Sequence, residues 1–138
     1  MTHQRSREDA FTLIELLVVV IILGILAAIA IPVFLKQREK AWDVAVRSDL
    51  RNAAAAQIDF LSDDGNVTGL YADSLAVLTP VSKFSPTDGV VFDVFEGGDS
   101  RFCMVAHFAV NSSRYWAFDS DVAVPVLVGS PVGVCPAL

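Results

Sequence analysis

The sequence predicts an α+β fold in which one long N-terminal helix packs on a small antiparallel sheet of about four strands. Three observations support this prediction. An uncharged apolar run begins at Leu16, an apolar periodicity of three to four residues continues to about residue 62, and four short strand-like runs fill the second half. We therefore divide the chain into a polar segment (1–10), a helix (11–62) and a head with a connecting loop (63–138).

The first half of the predicted helix, residues 11–35, is long enough to span a bilayer. The 20 residues from Leu16 to Leu35 carry no charge, and a helix of that length matches a hydrocarbon core of about 30 Å. Glu15 stands just inside the apolar start. An acid within a span costs about 2.5–3.5 kcal/mol near the bilayer centre and less near an end, so it usually marks a function and a partner. The alternative is that Glu15 lies in the headgroup region and has no such function.

The polar segment before the span predicts a processing junction. It contains two arginines followed by Glu8 and Asp9, and it ends at Ala10, directly before Phe11. A secretory signal would instead be cut after Ala28-Ile29-Ala30. The acids before the span and the continuation of the apolar run to Leu35 argue against that cut.

Residues 11–19, Phe-Thr-Leu-Ile-Glu-Leu-Leu-Val-Val, resemble the class III signal of type IV pilins and pseudopilins, and Gly24 and Pro32 follow as in that family. There, a membrane aspartic protease, the prepilin peptidase, cleaves before the Phe on the cytoplasmic side and methylates the new amine. The resemblance implies cleavage between Ala10 and Phe11 and N-methylation of Phe11. Ala10 stands where glycine is usual, so we expect slower cleavage.

The resemblance also implies how the chain assembles. Glu15, with Thr12 in the same motif, would neutralise the Phe11 amine of a neighbouring subunit as a filament grows. The implied partners are identical or related pilin subunits, the prepilin peptidase, the pilus assembly platform with its ATPase, and membrane lipids before assembly. The implied shape is a lollipop, with the N-terminus cytoplasmic and the head outside, and the chain would end in a cell-surface pilus.

Gly24 and Pro32 predict a weak segment in the apolar helix. Pro32 removes a backbone donor and clashes with the carbonyl of Ala28, so the helix is expected to bend or unwind between the two residues. In pilins this segment can melt on assembly. A simple static kink is the alternative.

The second half of the helix is predicted to bury one apolar stripe against the sheet, formed by Trp42, Val46, Leu50, Ala53, Ala54, Ile58 and Leu61. The opposite face, with Asp43, Arg47 and Arg51, is expected to be solvated. The helix should end in the turn-forming cluster at residues 62–66.

Charge is unevenly distributed along the chain. Residues 52–138 hold ten acids against three bases, whereas residues 36–51 hold three acids against five bases, namely Lys36, Arg38, Lys40, Arg47 and Arg51. This basic collar suits anionic lipid headgroups next to the span, which attract each basic residue by about 1 kcal/mol. A merely solvated helix face is the alternative.

The head is predicted to be a meander. Residues 63–88 are interpreted as an irregular connecting loop with up to one helical turn. Strand-like runs follow at Val90–Phe95, Phe102–Val110, Tyr115–Phe118 and Val122–Val128. Pro125 lacks a donor, which places the last run at an edge or beside a bulge.

Cys103 and Cys135 are the two cysteines, and the resemblance places both outside the cytoplasm. We expect a disulfide between them, with free thiols as the alternative. Many pilins close a C-terminal loop in this way, whereas pseudopilins of type II secretion commonly do not.

The head offers little chemistry. His107 lies alone in an apolar run without a nucleophile pattern, and Asp119 and Asp121 fall short of the oxygen ligands that calcium takes. We predict no enzyme activity, cofactor, metal or direct nucleic-acid site. The expected function is that of a type IV pilus subunit in motility, adhesion or DNA uptake. The alternatives are a pseudopilin of a secretion or competence machine, a secreted binding protein and a membrane-anchored enzyme.

Overall fold

The computed structural model describes residues 11–135. The chain divides into two units, one ending at Arg38 and one beginning at Glu39. The elements in chain order are α1 (Leu13–Leu61), α2 (Leu75–Ser82), β1 (Val90–Gly97), β2 (Phe102–Phe108), β3 (Asn111–Asp119) and β4 (Val126–Val128). The predicted leader 1–10, with Ala10, and the last three residues of the predicted head lie outside the described residues.

The N-terminal unit consists of the first part of α1. Its helix continues through Gly24 and Pro32, and its apolar side chains are exposed. The stretch is long and apolar enough to cross a membrane, with none of it buried. The predicted weak segment is therefore helical in this structure, and its flexibility stays a prediction.

The sheet of the C-terminal unit confirms the predicted antiparallel meander, with strand order β1-β2-β3-β4. Every strand differs from the prediction at one boundary or more: β1 extends to Gly97, and β2 ends at Phe108. β3 begins at Asn111, because its first residues continue the hairpin from β2, and β4 is confined to Val126–Val128. The amides of Val122 and Ala123 instead donate to the carbonyl of Asp119 and form a turn. β4 pairs with β3 alone and follows Pro125, as predicted for an edge strand.

The connecting loop contains more helix than predicted. α2 has eight residues and includes Pro80, which we read from the sequence as part of a loop. Pro80 removes only one backbone donor, and the fully buried side chain of Leu78 supplies packing that favours the helix. The amide of Lys83, in the left-handed region, donates to Thr79 and ends α2.

The core of the C-terminal unit lies between α1 and the sheet. The predicted stripe is confirmed at Val46, Leu50, Ala53 and Ala54, which are buried in one cluster with Met104 and other apolar residues of the sheet. The stripe prediction is wrong at Ile58, which is 58% exposed. Its inward place is taken by Gln57, whose side chain is fully buried.

Gln57 holds the connecting loop against the helix. Its side-chain Nε2 donates to the carbonyl of Ala72 (2.8 Å), and its Oε1 accepts the amide of Ala72 (2.8 Å). Gly97 approaches the same backbone so closely that a Cβ would lie 2.2 Å from the Ala72 oxygen. Gln57 therefore satisfies both backbone groups of Ala72. The residue opposite Ala72 must be a glycine, because a side chain there would clash with its backbone.

The face predicted to be solvated is partly engaged with β3. Asp43 accepts hydrogen bonds from Arg114 Nε (3.1 Å), Arg114 Nη2 (2.5 Å) and Trp116 Nε1 (3.1 Å). The guanidinium of Arg47 lies 4.9 Å from the centre of the Trp116 ring. The prediction is thus wrong for Asp43 and Arg47 and correct for Arg51, which is exposed.

We expect this cluster to make the stability of the C-terminal unit depend on pH. Burial raises the pKa of Asp43, but the hydrogen bonds from Arg114 and Trp116 and the nearby arginine charges outweigh it, so that the pKa lies below its ordinary value of 3.8. Because the folded pKa is lowered, the stabilisation is fully present above pH 3.8 and is lost as pH falls through the folded pKa.

The substitution Asp43→Asn tests this dependence. It should lower the free energy of unfolding of the full chain in detergent by about 1–3 kcal/mol at pH 7, and the difference from wild type should shrink below pH 4. The exposed Asp59 of the same helix provides the control Asp59→Asn, which should change stability by less than about 0.5 kcal/mol. If Asp43→Asn lowered the free energy of unfolding by the same amount at pH 7 and at pH 3, the role of the Asp43 charge would be refuted.

The disulfide predicted from the two cysteines is present. Cys103 in β2 is bonded to Cys135, and the two residues are 32 positions apart in sequence. The bond ties the C-terminal tail to an inner strand of the sheet. Closing a loop of this length disfavours the unfolded chain by about 3–4 kcal/mol in the chain-entropy account.

Candidate functional site

Phe11, Thr12 and Glu15 form the start of α1. The side chain of Glu15 folds back on the chain, and its Oε2 accepts the backbone amide of Thr12 (2.9 Å) and the hydroxyl of Thr12 (2.7 Å). The hydroxyl oxygen of Thr12 in turn accepts the amide of Glu15 (3.3 Å). With Leu13 as the first helical residue, Thr12 is the N-cap and Glu15 the third helical residue, which together make a capping box.

This arrangement explains why a carboxylate is tolerated at the end of an apolar helix. The first amides of a helix lack partners within the helix, and the N-terminal end of its dipole is positive. Glu15 satisfies both conditions, since it accepts the amide of the N-cap residue Thr12 and places negative charge at the start of the helix. An ionised carboxylate offers about four lone-pair sites, and Thr12 uses two of them. Glu15 can therefore keep its own cap and accept a further cationic donor.

The surface beside Glu15 is apolar and shallow. A depression of about 440 Å³ is lined by Phe11, Ile14, Glu15, Val18 and Val19. Phe11 is 80% exposed. One carboxylate beside this apolar depression suits a ligand in which a positive charge is attached to a hydrophobic group. The N-terminal amine of an apolar residue is such a ligand.

The predicted site residues do not form one constellation. Phe11, Thr12 and Glu15 lie together, whereas Gly24 and Pro32 lie further along the exposed helix. Cys103 and Cys135 belong to the other unit and act on its tail. Ala10, the predicted residue before the cleavage site, lies outside the described residues.

Sequence reasoning missed how Thr12 acts, although a signal was present. Thr12-Leu13-Ile14-Glu15 has the spacing of a capping box, a Ser or Thr followed three residues later by Glu just before an apolar run. Sequence reasoning also missed the partner of His107. Its Nδ1 lies 2.6 Å from Oδ2 of Asp93, at a register shift between β1 and β2, where no sequence pattern links them.

Within residues 11–135, no group of three metal-ligating side chains is placed to hold a metal ion. Asp119 uses Oδ1 to accept the amide of Asp121 (2.8 Å), so its carboxylate caps the turn after β3. In the described head, the carboxylate of Asp119 therefore has a structural role in this turn.

Comparison with known proteins covers both the N-terminal segment and the chain beyond it. Residues 5–31 match a family model described as the prokaryotic N-terminal methylation motif. The chain is 34% identical over 96 residues to the type IV wide pilus major component PilA4 of Thermus thermophilus, and this match covers 70% of each chain.

Two further relatives match over shorter lengths. The type II secretion system core protein G of Pseudomonas aeruginosa is 43% identical over 53 residues, covering 38% of this chain and 37% of that protein. The type IV major pilin protein PilA of Myxococcus xanthus is 46% identical over 57 residues, covering 41% of this chain and 26% of that protein. These matches include both pilus and secretion proteins.

Proposed function

Because this chain belongs to the type IV pilin family, whose members are structural pilin and pseudopilin subunits and not enzymes, we propose that it is a subunit of a type IV pilus. The family implies prepilin processing and assembly with related subunits. In our proposal the chain is inserted with its N-terminus in the cytoplasm, cleaved between Ala10 and Phe11, and N-methylated on Phe11. It then leaves the membrane for a helical surface filament.

The geometry at Glu15 is the observation that carries this proposal. Its carboxylate accepts two hydrogen bonds from Thr12 at the helix start and lies beside the apolar depression. It can accept further hydrogen bonds. Cleavage before Phe11 would create a cationic amine attached to an aromatic residue, which is the kind of ligand that this surface suits. Glu15 of one subunit would then pair with the Phe11 amine of the next.

Cohesion of the filament would come from the exposed apolar side chains of α1. From Leu13 to Leu35 these side chains are about half exposed or more, so they need lipid or protein neighbours. Packing against copies of the same segment replaces lipid contacts by protein contacts. A subunit in a wrong register would bury the charge of Glu15 without a partner, which is strongly unfavourable.

Two observations favour a pilus over a secretion pseudopilus. A relative that covers 70% of each chain is a pilus component and is 34% identical to this chain, whereas a type II secretion core protein G that aligns over a similar length, 64% of this chain and 66% of its own, is 28% identical. The Cys103–Cys135 disulfide also supports a pilus, since many pilins close a C-terminal loop in this way. The pseudopilin remains the second candidate because secretion proteins recur among the relatives.

Mass spectrometry of the N-terminal peptide tests the processing step. The protein should be recovered from the sheared surface fraction of its native cells. We expect a mature chain that begins with N-methylated Phe11. A chain that begins after Ala30 would lack Phe11 and Glu15 and would overturn the proposal.

Electron microscopy of the same fraction tests the kind of filament. Long surface filaments that contain this chain are expected for a pilus subunit. Processed chain that stays in the cell envelope and never enters surface filaments would instead identify a pseudopilin.

A further inference from the structure

Two exposed surfaces of the C-terminal unit combine apolar side chains with opposite charges. We propose that they bind each other between neighbouring copies of this chain, so that the outer stripe of α1 in one copy occupies an acidic groove in the next. This contact deepens the proposed function and rests on it, since it needs assembled copies.

The acidic groove lies beside the connecting loop and α2. It has a volume of about 500 Å³ and an apolar floor that includes Phe60, Tyr71 and Val77. Asp63 and Asp73 stand among its lining residues, and both are exposed. The residues described as lining this groove include no lysine or arginine. Val67, another lining residue, is 93% exposed.

The outer stripe of α1 consists of Lys40, Val44, Arg51 and Ile58. Steps of four and seven residues keep these positions on one face of the helix. All four are exposed, and Ile58 and Val44 are 58% and 61% exposed. The opposite face of the same helix is the one that packs on the sheet, so the stripe takes no part in the core.

The charges of the two surfaces are complementary. The stripe carries two cations and two aliphatic side chains, and the groove carries two carboxylates around aliphatic and aromatic side chains. The same contrast exists on a larger scale, because residues 52–138 hold ten acids against three bases. Two copies that meet through the acidic surfaces alone would repel each other, whereas the stripe offers positive charge to the groove. Such complementarity guides encounter and fixes register.

The two surfaces share no residue, which determines the kind of assembly they can build. An interface between different patches of identical chains is heterologous, and it extends into a ring or an open helix rather than closing as a two-fold dimer. Each copy has one stripe and one groove and can therefore bind a neighbour on both sides. A contact of this kind is compatible with a growing filament.

Cysteine cross-linking tests the contact with the full chain. Ile58→Cys and Val67→Cys would be made in separate, differently tagged copies and expressed together in the native cell, and mild oxidation would follow. We expect a disulfide-linked dimer that carries both tags in the filament fraction. The pair Ile58→Cys and Val110→Cys is the matched control, because Val110 is also an exposed valine but lies outside the groove lining.

Charge reversal provides the second measurement. Arg51→Asp and Asp73→Arg should each reduce the assembled fraction by about fivefold, since each replaces an attraction with a repulsion, and their combination should restore it. N-methylated Phe11 in every variant would show that processing is intact, and surface filaments from the unaltered chain in the same experiment would show that the proposed function holds. Normal filaments from both single variants, or a dimer no more abundant than in the Val110 control, would overturn the contact.

Discussion

Filaments are expected to disappear from cells whose chain carries Glu15→Ala, while insertion and N-terminal processing continue. The carboxylate is the charge that we propose to pair with the Phe11 amine of the next subunit, and its loss leaves that amine unpaired in an apolar interface. Truncating one partner of a buried charge pair costs about 3–5 kcal/mol, which is a factor of about a hundred to several thousand in an equilibrium constant. The measurement is the ratio of sheared filament to total processed chain.

Two matched variants separate charge pairing from helix capping. Glu15→Gln keeps a side-chain oxygen that can accept the Thr12 hydrogen bonds but removes the charge. Thr12→Val removes the capping hydroxyl but keeps the charge. If pairing with an amine is the role of Glu15, Glu15→Gln fails to assemble and Thr12→Val assembles. Abundant filaments from Glu15→Gln would assign Glu15 to capping and refute the register argument.

The C-terminal unit is expected to lose about 2–5 kcal/mol of stability when Gln57 is replaced by Leu. The new side chain has a similar size and would suit an apolar core, but it leaves the amide and the carbonyl of Ala72 without partners in a buried place. Each unpaired buried group costs about 1–3 kcal/mol. The midpoint of thermal unfolding of the full chain in detergent should fall by about 10 °C or more.

Ile58→Gln is the matched control for this stability measurement. Ile58 is the next residue in the helix and is exposed, so the substitution should change the free energy of unfolding by less than about 0.5 kcal/mol. Unchanged stability in Gln57→Leu would mean that the paired hydrogen bonds to Ala72 contribute nothing to the fold.

Local patterns in the sequence predicted most elements of the fold. The uncharged run ending at Leu35 and the apolar spacing from Val46 to Ala54 gave the long helix, and turn residues separated four strands. Pro125, which has no amide to donate to a neighbouring strand, predicted that the last run lies at an edge or beside a bulge, and β4 is an edge strand. These predictions succeeded because each depends on residues close together in the chain.

The errors concern contacts between distant segments. Hydropathy favoured Ile58 over Gln57 as the buried residue, yet the loop at Ala72 supplies two hydrogen bonds that only an amide side chain satisfies. The spacing of Asp43 and Arg47 suggested a solvated helix face, whereas β3 brings Arg114 and Trp116 to them. Nothing in the local sequence specifies which strand meets a helix face.

The sequence was sufficient to name the candidate site residues, but it said less about how their side chains are arranged. Glu15 stands out because a lone acid opens an apolar run, whereas the role of Phe11 was inferred from the resemblance to the pilin signal. The hydrogen bonds that fix the Glu15 carboxylate to Thr12 follow from capping physics that the sequence already contained. The pairing of Glu15 with another chain depends on neighbours, and for this reason it remains a proposal.

The bond between Cys103 and Cys135 also sets the mechanical path through the head. A pull on the tail beyond Cys135 reaches β2 through a covalent bond, and β2 is held by neighbouring strands on both sides. The short pairing of β4 with β3 lies inside the closed loop and is bypassed. Tension applied to the end of the chain would therefore act on the centre of the sheet instead of peeling its edge strand.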